Sequence, residues 1–241
     1  MKRFFIIPFL TTFGLIAGCS QSTVSTEVDE VTVAKNIVGE NPESVQDLTD
    51  LGFAYLTAGR IEESLVPLEK AAELHPDSAK ANFELGLAYG ALGRHKEKMQ
   101  KYREVVKLQP EFAPAHFKLG QALAVEDLHQ EAIQHYQKAL KLSPANAETH
   151  YYLGMSYYLS KRHKEAVGAF ENATQLAPDN GKVWHGLALA YLELGRYRDA
   201  LEPFKKALAL NPPAGKENKT PAEQSPTPVL FEEKGQVARI P

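Results

Sequence analysis

The stretch PANAETHYYLGMSYYLSKRHKEAVGAFENATQLAP, residues 144–178, decides the fold. It runs from one proline to another, and prolines recur at the same 34-residue interval at Pro42, Pro76, Pro110, Pro144, Pro178 and Pro212. A fixed period of this length marks an array of repeated supersecondary units. Within the frame set by the prolines, other columns recur. Leu153 aligns with Leu51, Leu85, Leu119 and Leu187, and Gly154 with Gly52, Gly86, Gly120 and Ala188. Tyr157 aligns with Tyr55, Tyr89, Leu123 and Tyr191, and Phe170 with Leu68, Tyr102, Tyr136 and Phe204. Ala173 aligns with Ala71, Val105, Ala139 and Ala207.

These spacings predict two helices per unit. Leu51, Gly52 and Tyr55 stand at i, i+1 and i+4, which puts large side chains on one face and a small residue where a partner helix must approach. Leu68 and Ala71, three apart, share one face of the second helix. Between the two, Gly59, Gly93 and Gly195 stand where a helix C-terminus favours a left-handed residue. Each proline then stops the second helix and opens the next unit. Periodicity alone gives an α-solenoid, whose units bury their apolar faces only against their neighbours.

The residues Leu51-Gly52, Tyr55, Ala132, Ala166, Ala200 and the spaced prolines resemble the tetratricopeptide repeat family, with Trp184 in that family's tryptophan column. The resemblance covers five units, 45–78, 79–112, 113–146, 147–180 and 181–214. It implies an all-α fold, a right-handed solenoid of helix-turn-helix repeats with a concave groove lined by the first helices. Three positions depart from the pattern. Lys98 stands where Ser64, Ala132, Ala166 and Ala200 keep two helices close, so its stem is expected to snorkel outward and repeat 2 to pack loosely. Pro67 and Pro203 fall inside second helices and are expected to kink them, or to be irregularities tolerated at the ends of an array.

Ahead of the repeats, Met1-Lys2-Arg3 precedes an uncharged apolar run to Gly18, the pattern of a secretory signal peptide over residues 1–18. Its end, Leu15-Ile16-Ala17-Gly18-Cys19, resembles the bacterial lipobox. That resemblance implies cleavage before Cys19, acylation of its thiol, and an exported protein anchored to the cell envelope and facing the periplasm or exterior. With Ser20 next, the outer membrane is the expected address in a cell that has two membranes. Several acyl chains anchor firmly where one binds reversibly. A flexible linker is expected over 19–44, with 31–38 able to form a short helix against the fold. Residues 215–241 read as a disordered, Pro-rich polar tail interrupted by Val229-Leu230-Phe231.

The 241 residues carry 27 Lys+Arg against 30 Asp+Glu, a balance of −3 that points away from nucleic acid. Loss of Lys2 and Arg3 with the signal makes the mature chain more acidic. A single cysteine excludes an internal disulfide and a cysteine-based zinc site. His95, His129 and His163 share a column at the start of the second helices, but stacked helix pairs lie about 8–10 Å apart, too far for one ion. They read as solvated helix starts, while His116 and His150, in the tryptophan column, read as packing. No metal, cofactor or catalytic residue is expected, since phosphate-loop, nucleophile-elbow and zinc-protease motifs are all missing from the sequence.

The family's inward positions here are apolar and aromatic: Phe53, Phe83, Leu87, Phe117, Gln121, Tyr151, Met155 and Tyr158. Such a surface is expected to bind protein partners. Packing between first helices, or cover by the chain's own tail, is the other reading of these side chains. The family's carboxylate clamp has no counterpart: the matching positions of repeats 1 to 3 are Thr49, Phe53, Glu84, Pro114 and Lys118, and later frames fail as well. With no capping helix after repeat 5, its second helix is expected to be covered by the apolar triplet, a partner or a second copy. The functional expectation is a membrane-anchored adaptor for envelope assemblies such as pilus secretins or cell-wall enzymes. The alternative is a self-associating structural oligomer.

Overall fold

A computed structural model of the chain describes residues 29–211, which form eleven α-helices and no strand. The signal segment, Cys19 and the tail from Pro212 onward lie outside the described residues. The helices fall into two compact units. The first holds α1 (Glu30–Glu40), α2 (Val45–Thr57) and α3 (Ile61–Leu74). The second holds α4 (Ala79–Ala91), α5 (His95–Leu108), α6 (Ala113–Val125), α7 (His129–Leu142), α8 (Ala147–Leu159), α9 (His163–Leu176), α10 (Gly181–Glu193) and α11 (Tyr197–Leu210).

Each 34-residue unit is one helical hairpin, its first helix opening at 45, 79, 113, 147 or 181. Side chains from the turn before it supply the missing acceptors at four of the five starts. Ser44, Ser78, Asn146 and Asn180 accept from the amides of Asp47, Ala81, Thr149 and Lys182, while α6 instead carries Pro114 in its first turn. The turn between the helices has a left-handed residue in every repeat. Gly59, Gly93 and Gly195 fill it in three, with φ of 71°, 71° and 69°. Asp127 and Lys161 hold the same conformation at 59° and 60°. A side chain there costs about 1–2 kcal/mol, so the turn is imposed by the packed hairpin as well as by glycine.

The Gly52 column sits where the two helices of a hairpin touch. A methyl on Gly86 would lie 2.6 Å from Tyr102, on Gly120 2.6 Å from Tyr136, and on Gly154 2.8 Å from Phe170. In the first unit, a methyl on Gly52 would overlap Leu68. The large residue on the second helix therefore seats its ring directly on the glycine backbone. In the second unit these rings join Leu119, Leu123, Ile133, Leu153 and Leu187 in one continuous buried core. Successive repeats are also tied by polar bonds: Gln137 donates to the Tyr157 hydroxyl at 2.7 Å, and the Tyr191 hydroxyl donates to Glu171 at 2.6 Å. Burial, and then the bond to Glu171, push the Tyr191 hydroxyl up to about 12.

Arg60, Arg94, Arg162 and Arg196 open the second helices, each paired with an acid three residues on. Each guanidinium also lies over the tyrosine of its own first helix, 4.2–4.8 Å from the ring centroid. Repeat 3 has lost both partners together, with Leu123 for the tyrosine and Leu128 for the arginine.

Three expectations are corrected. Within the linker expected over 19–44, the short helix allowed for 31–38 is present and runs from Glu30 to Glu40, because Asp29 caps it and Val31, Ala34 and Val38, at i, i+3 and i+7, pack on Leu51, Ala54 and Tyr55. Lys98 does not turn away from the fold: its stem lies along α4, with Cδ 3.0 Å from where a Gly90 methyl would stand. Gly90 leaves the room that the lysine stem fills, so repeat 2 exchanges a large residue on one helix for a large one on the other. Burial pulls the Lys98 ammonium below its ordinary range, Glu126 partly restores it, and Lys118 opposes that. Pro67 and Pro203 stand buried inside α3 and α11, and both helices continue past them. The histidines expected to be solvated are mixed: His95 is exposed, but His129 and His163 are half-buried.

Candidate functional site: an aromatic face on the first helices

The expected binding residues of the second unit lie on α4, α6 and α8, and α6 packs on α8 as α8 does on α10. Phe83, Leu87, Phe117, Gln121, Tyr151, Met155 and Tyr158 are all half-buried. Phe53 belongs to the first unit, on α2, and is 48% exposed.

The aromatic members form a ladder. Phe83 meets Tyr102 at 5.7 Å and Phe112 edge-on at 5.2 Å. Phe117 meets Tyr152 at 5.7 Å, Tyr152 meets Tyr151 at 5.4 Å, and Tyr151 meets Phe170 at 6.0 Å. One side of each first-helix ring thus rests on core rings, and the other part stays open to solvent. Packing between helices therefore accounts for part of each ring's surface, and it holds the exposed remainder in a fixed place. Tyr152 and Phe112 complete the ladder and were missed as site residues. Tyr152 directly follows Tyr151 in the sequence, and that adjacency was the available signal. Burial raises the hydroxyls of Tyr151, Tyr152 and Tyr158 above the ordinary tyrosine range, so the face stays neutral at physiological pH.

The tryptophan column has a chemical role beyond filling space. The Trp184 indole N–H donates to the Pro178 carbonyl at 2.8 Å, and His150 and His116 place Nε2 3.0 Å from the carbonyls of Pro144 and Pro110. A carbonyl only accepts, so Nε2 of His116 carries the proton and its Nδ1 accepts. His135 Nδ1, 3.0 Å away, must then be the donor. Burial lowers the pKa of both rings. At His116 the Pro110 carbonyl opposes this and Lys138 adds to it; at His135 the neighbouring His116 adds to it, Glu131 opposes it and Arg103 adds again.

A histidine whose folded pKa is depressed contributes stability that is present above the unfolded value near 6.5 and is lost as pH falls through the folded value. Urea midpoints are therefore expected to fall between about pH 7 and 5.5, above most of the carboxylate range. The slope should be shallower in His135→Ala, which leaves His116 in a setting like that of His150 beside Ala169. Equal slopes in the two proteins would refute the pair as the titrating element.

Among the described residues there is no group of three or more His, Cys, Asp or Glu side chains able to hold a metal. No described helix is long and apolar enough to cross a membrane.

Four models of tetratricopeptide repeats match residues 52–93, 79–112, 99–147 and 145–212, and together they run without a gap from 52 to 212. The chain belongs to the tetratricopeptide repeat family. Among solved structures it is similar to MamA, at 27% identity over 66% of this chain and 94% of that one, with a TM-score of 0.63. It is also similar to MamA 41-end from Desulfovibrio magneticus RS-1, at 21% identity over 78% of this chain and 98% of that one, with a TM-score of 0.63. A third likeness is to YrrB, described as a TPR protein with an unusual peptide-binding site, at 21% identity over 76% of this chain and 95% of that one, with a TM-score of 0.69. No curated protein sequence matches the chain significantly. As a tetratricopeptide repeat protein, the chain keeps the family's hairpin while replacing its tryptophan by a histidine donor in repeats 3 and 4.

Proposed function

We propose that this tetratricopeptide repeat protein is an adaptor that holds a partner polypeptide along the first-helix face of its second unit. The observation that supports this reading is the ladder of Phe83, Phe117, Tyr151 and Tyr152, anchored on the core at one edge and open at the other. Half-exposed aromatic anchors held rigidly are what protein interfaces use most. Leu87, Gln121, Met155 and Tyr158 border the ladder and would set the register of the bound segment. That YrrB is described as having a peptide-binding site agrees with this use of the fold.

In the same reading the adaptor is exported and fixed to the envelope by lipid on Cys19, at the outer membrane where there are two, and serves an envelope assembly. No catalytic role is assigned to it. Phe83→Ala with Phe117→Ala is expected to lower partner recovery after in-cell crosslinking at least tenfold, with helicity retained by circular dichroism. Unchanged recovery from a folded variant refutes the face. For the anchor, Cys19→Ser is expected to release the protein from the membrane fraction, and a variant that stays bound refutes lipidation. Self-association is the second reading, and the uncovered face of α11 is the observation that favours it.

A further inference from the structure

In a stacked array each second helix is covered by the first helix of the following hairpin. Thus α8 lies on α7 and α10 on α9. At one column the result is Ile133 and Val167, only 3% and 6% exposed. The same column in repeat 5 is Leu201, at 57%, and about two turns further on Leu208 is 58% exposed. With the half-buried Phe204 these form an i, i+3, i+7 stripe along α11, a helix face built for a neighbour. Beside it is a pocket of about 470 Å³ lined by Tyr151, Lys182, His185, Phe204, Leu208 and Asn211, among others.

The first unit meets the same need from within the chain: α1 lies on α2 and buries Val31 against Leu51 and Tyr55. A second copy stacking head to tail on α11 would have to displace that helix. The other end of the chain offers a segment of its own. Eighteen residues beyond Asn211 comes Val229-Leu230-Phe231, the longest apolar run in the tail, followed at once by Glu232 and Glu233. Eighteen residues span about 60 Å when extended and about 23 Å as a relaxed coil. The 14 residues of α11 measure about 21 Å. The triplet therefore reaches any point on the face at an effective concentration in the millimolar range. Lys182, exposed on α10 and lining the pocket, supplies the opposite charge for the acidic pair.

We propose that Val229-Leu230-Phe231 docks on the open face of α11, filling the pocket with apolar side chains and setting Glu232 and Glu233 against Lys182. In each unit an otherwise open helix face, that of α2 and that of α11, is then covered by a segment of the same chain. The test compares the full-length chain with Leu230→Asp/Phe231→Asp, and with Leu201→Asp/Leu208→Asp on the opposite surface. Amide exchange across α11 should rise about tenfold in the tail variant, since its cover is lost. Trypsin cleavage after Lys234 should rise about tenfold in the α11 variant, while cleavage after Lys216 and Lys219 stays constant as the internal control. A Lys182→Glu chain should exchange amides across α11 faster, and Glu232→Lys/Glu233→Lys in that background should reverse the effect. Exchange across α11 that ignores the tail variant overturns the proposal. So does sedimentation showing a concentration-dependent dimer that the tail variant leaves intact, because a second copy would then be the occupant.

Discussion

Tyr136→Ala should cost about 3–5 kcal/mol, the usual range for deleting a fully buried large aromatic side chain. Tyr136 is 0% exposed, sits on the Gly120 backbone and is flanked by Phe117 and Tyr152 at 6.1 and 6.2 Å. Its removal empties the contact between α6 and α7 and takes support from the aromatic face at the same time. In a chain of this length the loss corresponds to a fall in Tm of about 6–20 °C. The phenol oxygen adds nothing to that sum: it is buried, with no protein group in hydrogen-bond reach, and burial pushes its pKa far above the ordinary range. Tyr136→Phe should therefore be neutral or slightly stabilising, as expected when a buried polar atom without a partner is removed. Repeat 4 already carries Phe170 in that column. Thermal unfolding of the two variants separates ring from hydroxyl, and equal stability of the Ala and Phe proteins would overturn the account.

Gly120→Val should be nearly as damaging, for the opposite reason. A Cβ there would lie 2.6 Å from the Tyr136 ring, and the ring has no empty space to retreat into. Overpacking of this kind costs about 1–3 kcal/mol or more. Gly168, in the interior of α9, has nothing within 4 Å of an added methyl, so Gly168→Ala should gain about 0.5–1 kcal/mol through helix propensity. Two helical glycines thus respond with opposite signs. A double-mutant cycle of Gly120→Val with Tyr136→Ala should show strong favourable coupling, since each change relieves the other. Urea midpoints for the four proteins decide it, and simple additivity would contradict the contact.

Much of the fold could be read from the residues because the repeat writes its packing into columns. The Gly120 and Tyr136 columns announce one another, and 34-residue prolines mark the joints. What could not be read lay outside that frame or depended on two columns at once. Val31, Ala34 and Val38 have helical spacing, but no proline or glycine column brackets them, so a helix there could be placed only loosely, inside a stretch otherwise expected to be linker. Lys98 looked like a defect until the structure set it beside Gly90. Asp127 and Lys161 carry a left-handed turn that glycine would have advertised. His116 and His150 passed as filler because the donor role of the column becomes visible only once the proline carbonyl six residues earlier is placed against Nε2. At the candidate site the sequence named the first-helix aromatics. It did not name Tyr152 or Phe112, whose part depends on which ring meets which.

The paired substitutions have a consequence for how such a chain can change over generations. Leu123 with Leu128, and Gly90 with Lys98, are compensations between the two helices of a single hairpin. In both cases the packing partner lies inside the same 34 residues, although the Lys98 ammonium also feels Glu126 and Lys118 of the following repeat. A hairpin moved as a whole therefore carries both members of such a pair, while one of its residues copied alone into another repeat arrives without its counterpart.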